Sequence, residues 1–208
     1  ETFTYAAELG NQFAQYRLGK LLLKGDDGIP KDVITAIRWL TAAAKQENGY
    51  AEYALALVYL TGEDAPKDSV KALSLLKRSA GRGNQFAQYR LGKLLLQGED
   101  APKDVKAAIR WLTAAAEQGN QYAQYALGKL YLLGKEVPKD RSSAIKWFQL
   151  AADQGNEYAQ YFLKHMDDRL GQPPVAAVIS LFHHLANIFQ EQNQPPPPGG
   201  VRVAVYRK

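Results

Sequence analysis

The sequence predicts an all-α fold, a solenoid of antiparallel helix pairs. Three observations carry that expectation. The first is a period. Copies of Asn-x-aromatic-Ala-Gln/Glu-Tyr begin at Asn11, Asn48, Asn84, Asn120 and Asn156, in steps of 37, 36, 36 and 36 residues. The second is the helical spacing of apolar residues inside each copy, as with Tyr122, Tyr125, Leu130 and Leu133. The third is punctuation. A Gly-Asn pair such as Gly155-Asn156 ends one helix and caps the next within two residues. Connections that short make the helices antiparallel neighbours. One hairpin cannot bury its own apolar face, so the copies must stack.

Taken in order, Glu1 to Gly10 aligns with the end of a second helix: Thr4–Gly10 matches Thr113–Gly119. The expectation is that the chain starts partway through a repeat of a longer protein. Four full units follow. The unit at Asn120 shows the plan best. Asn120 is an N-cap, and Gly134 ends the first helix because glycine enters the left-handed conformation freely. Val137-Pro138-Lys139-Asp140 is the turn, with Asp140 as the second N-cap. Ala144, Trp147, Phe148, Ala151 and Ala152 lie on one side of the second helix. The odd step of 37 comes from the first turn, Gly25–Pro30, which is one residue longer than Gly62–Pro66. A surface loop absorbs that at little cost.

Small residues mark close approach. Gly19, Ala56, Gly92 and Gly128 share one position of the first helix; Ala36, Ala72, Ala108 and Ala144 share one of the second. Glycine inside a helix costs about 0.5–1 kcal/mol against alanine, so its return there predicts a packed joint between neighbouring units. Residues 11–23 are identical to 84–96, and Arg38–Ala44 to Arg110–Ala116. The second unit breaks that pattern: Ala54 and Leu57 replace Arg17 and Lys20. This puts a two-unit rhythm on the surface.

The fifth copy departs after Asn156. Phe162 and Lys164 replace Ala126 and Gly128, and the array is expected to stop at about residue 168. Val178, Leu181, Phe182, Leu185, Ile188 and Phe189 then predict a different helix, a cap over 169–191. Residues 192–208 read as a proline-rich spacer, a short alternating strand at Val201–Tyr206 and a basic tail.

The repeated residues Ala123, Leu127-Gly128, Tyr131, Gly134, Val137-Pro138, Asp140, Ala144, Trp147, Ala151-Ala152 and Gly155 resemble the Sel-one-like repeat, a relative of the tetratricopeptide repeat. The resemblance covers residues 1 to about 168. It implies a right-handed superhelix used as a scaffold for protein contacts, with the first helices lining the concave face. Cysteine-rich members brace each unit with disulfides. This chain has no cysteine, so packing alone must hold it.

The ending carries a second resemblance. His165-Met166-Asp167-Asp168, Leu181-Phe182-His183-His184, the proline run and Gly199-Gly200 are similar to the C-terminal part of certain mobilisation relaxases of Gram-positive conjugative elements. That implies a DNA-transfer setting in the bacterial cytoplasm for the parent protein. Relaxases need a nucleophilic tyrosine and a histidine cluster. No such cluster occurs here, so no catalytic residue is carried over.

Composition narrows the function. The 208 residues can bury a sizeable core, and no apolar run approaches the ~20 residues of a membrane span. Net charge is +5, of which residues 171–208 supply +2 through Arg202, Arg207 and Lys208 against Glu191, leaving +3 for the repeats. A bias that mild does not point to nucleic acid by itself. Phosphate loops, nucleophile elbows and metal-ligand spacings are missing. The reading is therefore non-enzymatic, without cofactor or metal.

Candidate partner-binding residues come in rows along the first helices. Tyr16, Tyr53, Tyr89, Tyr125 and Tyr161 form one; Phe13, Phe86 and Tyr122 belong to another, three residues earlier. Lys20, Lys93 and Lys129 follow four residues after their tyrosines, one turn further on the same side. Aromatics at helical spacing are foremost packing residues; beside lysines they can also hold an extended peptide or stack bases. The expected partner is a protein or extended peptide in the concave groove. The alternative is auxiliary DNA binding by the lysine row and basic tail.

Overall fold

The computed structural model describes residues 2–25 and 28–166. They form α1 (Thr2–Glu8), α2 (Gln12–Lys24), α3 (Val33–Lys45), α4 (Gly49–Thr61), α5 (Ser69–Gly81), α6 (Gln85–Gln97), α7 (Val105–Glu117), α8 (Gln121–Leu133), α9 (Arg141–Asp153) and α10 (Glu157–Met166). Among the described residues every regular element is a helix. The cap helix, the strand and the tail expected beyond residue 166, with His183 and His184, lie outside the described residues.

The caps fall where the side-chain chemistry puts them. Asn11, Asn84 and Asn120 each accept from two backbone N–H groups of the following turn; Asn48 accepts from Ala51 N–H. Asp32, Asp68, Asp104 and Asp140 do the same for the second helices. Gly62, Gly98 and Gly134 close the first helices in the left-handed conformation. The first unit differs: Gly25 has φ 64° and ψ 126°, at the head of the longer turn.

Each first helix packs on the second helix of its own unit, and each second helix on the next first helix. The result is a repeat solenoid. Its core is a row of alanines and leucines, including Leu40, Leu76, Leu91, Leu112 and Leu127, all buried. One sequence expectation is corrected here. The glycine row does not serve the joint between units. A Cβ at Gly92 would lie 2.7 Å from Leu112 Cγ and 3.0 Å from the Ala108 carbonyl, both in α7 of the same unit. Gly19 meets Leu40 and Gly128 meets Phe148 in the same way. The small residue lets the two helices of one hairpin close.

Two other devices join the units. Along one edge, Lys31 pairs with Asp64 (2.5 Å), Lys67 with Asp100 (2.8 Å) and Lys103 with Glu136 (2.8 Å), each lysine reaching the turn of the next unit. Inside, Gln88 Nε2 donates to the Ala80 carbonyl of the preceding unit and Gln124 Nε2 to that of Ala116, each over about one helix end. Gln118 and Gln154 then donate to the side-chain oxygens of Gln88 and Gln124. A buried amide needs both its donor and its acceptor satisfied, and this ladder supplies both.

Candidate functional site

The face built by α2, α4, α6 and α8 brings the aromatic rows together as one ladder. Tyr16 lies 5.8 Å, ring centre to ring centre, from Tyr50; Tyr53 lies 6.3 Å from Phe86, Tyr89 6.0 Å from Tyr122, and Tyr125 6.1 Å from Tyr158. The tyrosine of each unit thus meets the earlier aromatic of the next. Ring pairs at such distances add about 0.5–1.5 kcal/mol beyond their buried area. Much of this aromatic surface is therefore spent on holding neighbours together.

Exposure sorts the candidates. Phe13 is 62% exposed and Tyr161 44%. Tyr16, Tyr53, Phe86, Tyr89 and Tyr122 are half-buried. Tyr125 is only 7% exposed, its ring enclosed by Phe148, Tyr158 and Phe162. Burial pushes the Tyr53 and Tyr89 hydroxyls up to about 12, with Arg90 opposing the shift in both.

The lysines are half-buried beside this ladder. Lys20 Nζ sits 6.0 Å from the centre of the Tyr16 ring, at the outer limit of a cation–π contact. Burial holds Lys20, Lys93 and Lys129 below the ordinary lysine value. Like charges add to that: Arg17 and Lys24 act on Lys20, Arg90 and Lys129 on Lys93, and Lys135 on Lys129. The sequences of α2, α6 and α8 hold Arg17, Lys20, Lys24, Arg90, Lys93 and Lys129 and no carboxylate. The one acid of α4, Glu52, is wholly buried and paired with Arg78 and Arg82. Asp64, Asp100 and Glu136 are engaged on the turn edge.

From the sequence Arg90 reads, with Arg17 and the lysines, as part of a solvated charged row; the structure half-buries it. Its Nε is buried and has no hydrogen-bond partner. Its charge reaches Tyr53, Tyr89, Lys93 and Asp100. The identity of residues 11–23 with 84–96 gives Arg90 the same local sequence as Arg17, and nothing in that stretch distinguishes the two settings.

Among the described residues no helix is long and apolar enough to cross a membrane, and no cluster of His, Cys, Asp and Glu could hold a metal ion.

The Sel1 repeat model matches residues 12–48, 49–84, 85–120 and 121–156. The chain belongs to the Sel1 repeat family. Sel1 repeats are generally protein-interaction scaffolds, without catalysis of their own. The fold is similar to that of c5321, a protective antigen present in uropathogenic Escherichia coli strains, with a TM-score of 0.75 and 34% identity over 79% of this chain. It is also similar to a Sel1 repeat protein from Oxalobacter formigenes, with a TM-score of 0.72 and 35% identity over 79% of this chain. A cysteine-rich protein of Helicobacter pylori shares the fold at 22% identity, a TM-score of 0.51, 64% coverage of this chain and 95% of that one. The chain spans 35% of the first of these structures and 48% of the second. No curated protein matches it.

Proposed function

We propose that this Sel1 repeat array is a non-catalytic scaffold whose first-helix face takes an extended acidic segment of a partner protein. The observation that carries this is the charge of the face: six cations on α2, α6 and α8 with no carboxylate among them. Half-buried amines crowded by like charges gain from an incoming carboxylate, because it offsets both the desolvation and the repulsion. Exposed ring area at Phe13 and Tyr50 adds contact surface with little entropy to lose.

The second reading is DNA contact by the same lysines. The +3 charge of the repeats favours the peptide, since binding driven by phosphates draws on many cations. The conjugative setting and cytoplasmic location attach to this proposal only through the resemblance of the C-terminal blocks to relaxases. Of those blocks, His165 and Met166 are described, at the end of α10, with His165 exposed.

The test uses a fluorescent glutamate-rich peptide, its lysine-for-glutamate counterpart and a short DNA duplex. The wild-type chain is expected to bind the acidic peptide alone. Reversal of Lys20, Lys93 and Lys129 to glutamate should abolish that binding with the helical fold intact. Duplex binding that falls steeply with salt would favour the DNA reading, and undiminished peptide binding by the triple variant would place the site elsewhere.

A further inference from the structure

The order of cations along the face carries a finer statement, which rests on the acidic-segment reading above. α2 carries Arg17 and Lys20, and α6 carries Arg90 and Lys93. In each pair the residues are three apart, so they share one side of their helix. Between them α4 has Ala54 and Leu57 at the same two positions, both partly buried and uncharged. α8 has Lys129, but its arginine position is Ala126. The face therefore alternates: an arginine–lysine pair, an apolar step, then a second arginine–lysine pair.

The second pair holds an unpaired donor. Arg90 Nε is buried and donates to nothing. Asp100 feels the Arg90 charge, but its Oδ1 is already taken by Lys67 at 2.8 Å and Ser69 at 2.7 Å. Such a buried N–H is costly to leave without an acceptor, and a ligand carboxylate meeting the partly exposed guanidinium beside it would offset that cost. The Arg90 charge also acts on Tyr53 of the apolar step, whose ring stacks 6.3 Å from Phe86 of α6.

We infer that the face reads two acidic groups separated by a short uncharged stretch, one at Arg17/Lys20 and one at Arg90/Lys93, with small or apolar residues crossing Ala54 and Leu57. Adjacent packed helices lie about 8–10 Å apart, so the two sockets are about 16–20 Å apart. An extended chain advances about 3.3 Å per residue, which places the acids about five or six residues apart.

The test is a set of labelled peptides, each with two glutamate pairs joined by a glycine–serine spacer that is too short, matched or too long for that span. The matched peptide should bind at least about tenfold tighter than the short one, because only it engages both sockets at once. The double variant Ala54→Arg/Leu57→Lys copies onto α4 the residues that α2 and α6 already carry. It should fold, shown by unchanged helical circular dichroism, and it should flatten the spacer preference. Arg90→Gln should remove the advantage of the matched peptide while leaving single-pair binding at α2. Equal binding of every acidic peptide would overturn the two-socket inference and leave the acidic-segment reading standing. Binding of none would overturn both.

Discussion

Arg82 Nε donates to Glu52 Oε2 at 3.2 Å, at the two repeat positions where the third unit joins Gln118 Nε2 to Gln88 Oε1 at 2.7 Å. The second unit has thus exchanged an amide pair for an ion pair, changing both members together. Arg78 is a further addition: it reaches Glu52 Oε1 at 2.6 Å and the Ala44 carbonyl of the first unit at 3.3 Å. Glu52 is fully buried, so the fit depends on its partners.

The first prediction is a coupled pair of substitutions. Arg82→Gln alone should destabilise, because the buried Glu52 carboxylate then falls short of a strong donor; such a loss costs about 1–3 kcal/mol. Glu52→Gln/Arg82→Gln recreates the arrangement of the third unit and should recover most of it. Urea midpoints of the singles and the double give the coupling. Additive losses would show that the two positions act independently.

The second concerns the hairpin joint. Gly92→Leu should cost at least about 1–3 kcal/mol by overpacking against Leu112. Gly92→Ala should cost less, since alanine regains about 0.5–1 kcal/mol of helix propensity and Ala56 already fills the equivalent site. Leu112→Ala should partly rescue Gly92→Leu. Thermal melts that show no rescue would return the glycine to the joint between units.

Much of this architecture is legible in the sequence, and what is not has a physical reason. The Asn and Asp caps and the Gly stops declare themselves, because each acts within its own turn. The glycine row declares close approach but not its partner: spacing shows that something is near Gly92, and only the fold shows that it is Leu112. The buried glutamines read as surface residues, since glutamine is ordinarily exposed. Their burial depends on the Ala80 and Ala116 carbonyls at helix ends of the preceding unit, each of which accepts the glutamine amide beside the backbone N–H of Gly83 or Gly119. The aromatic rows were visible as rows. That Tyr16 meets Tyr50 follows from the stacking step between units, which no single repeat contains.

The third prediction is a stabilising change. Glu47 sits at φ 66°, where the other units place Gly10, Gly83, Gly119 and Gly155. A side chain in that conformation costs roughly 1–2 kcal/mol. Its contact with Arg82 is on the surface, with the Glu47 side chain 73% exposed, and water screens it. Glu47→Gly should therefore raise the melting temperature by a few degrees. A fall would mean that the Glu47–Arg82 pair outweighs the backbone strain.

The last prediction is the alkaline profile, where two rows of one face act in opposite directions. Lys20, Lys93 and Lys129 are held below 10.5 in the fold, so their protonated forms oppose folding at neutral pH. That penalty is relieved as pH rises through their folded values towards 10.5. Tyr53 and Tyr89 are pushed from 10 up to about 12, chiefly by burial. For a raised acid the stability is fully present below the unfolded value of 10 and is lost as pH climbs through the folded value, because the unfolded chain ionises first. The loss is on the order of 2 kcal/mol for each tyrosine, larger than the relief from amines that remain partly in water. Stability should therefore rise gently towards pH 10 and fall between 10 and 12. Tyr53→Phe/Tyr89→Phe should lessen the fall, the rest staying with Tyr16 and Tyr125, which burial also raises; a phenyl ring keeps the ladder without an ionisable hydroxyl. Lys93→Met/Lys129→Met should flatten the rise. Urea midpoints measured at intervals across that range separate the two, and a fall that persists unchanged in the double phenylalanine variant would assign it to other groups.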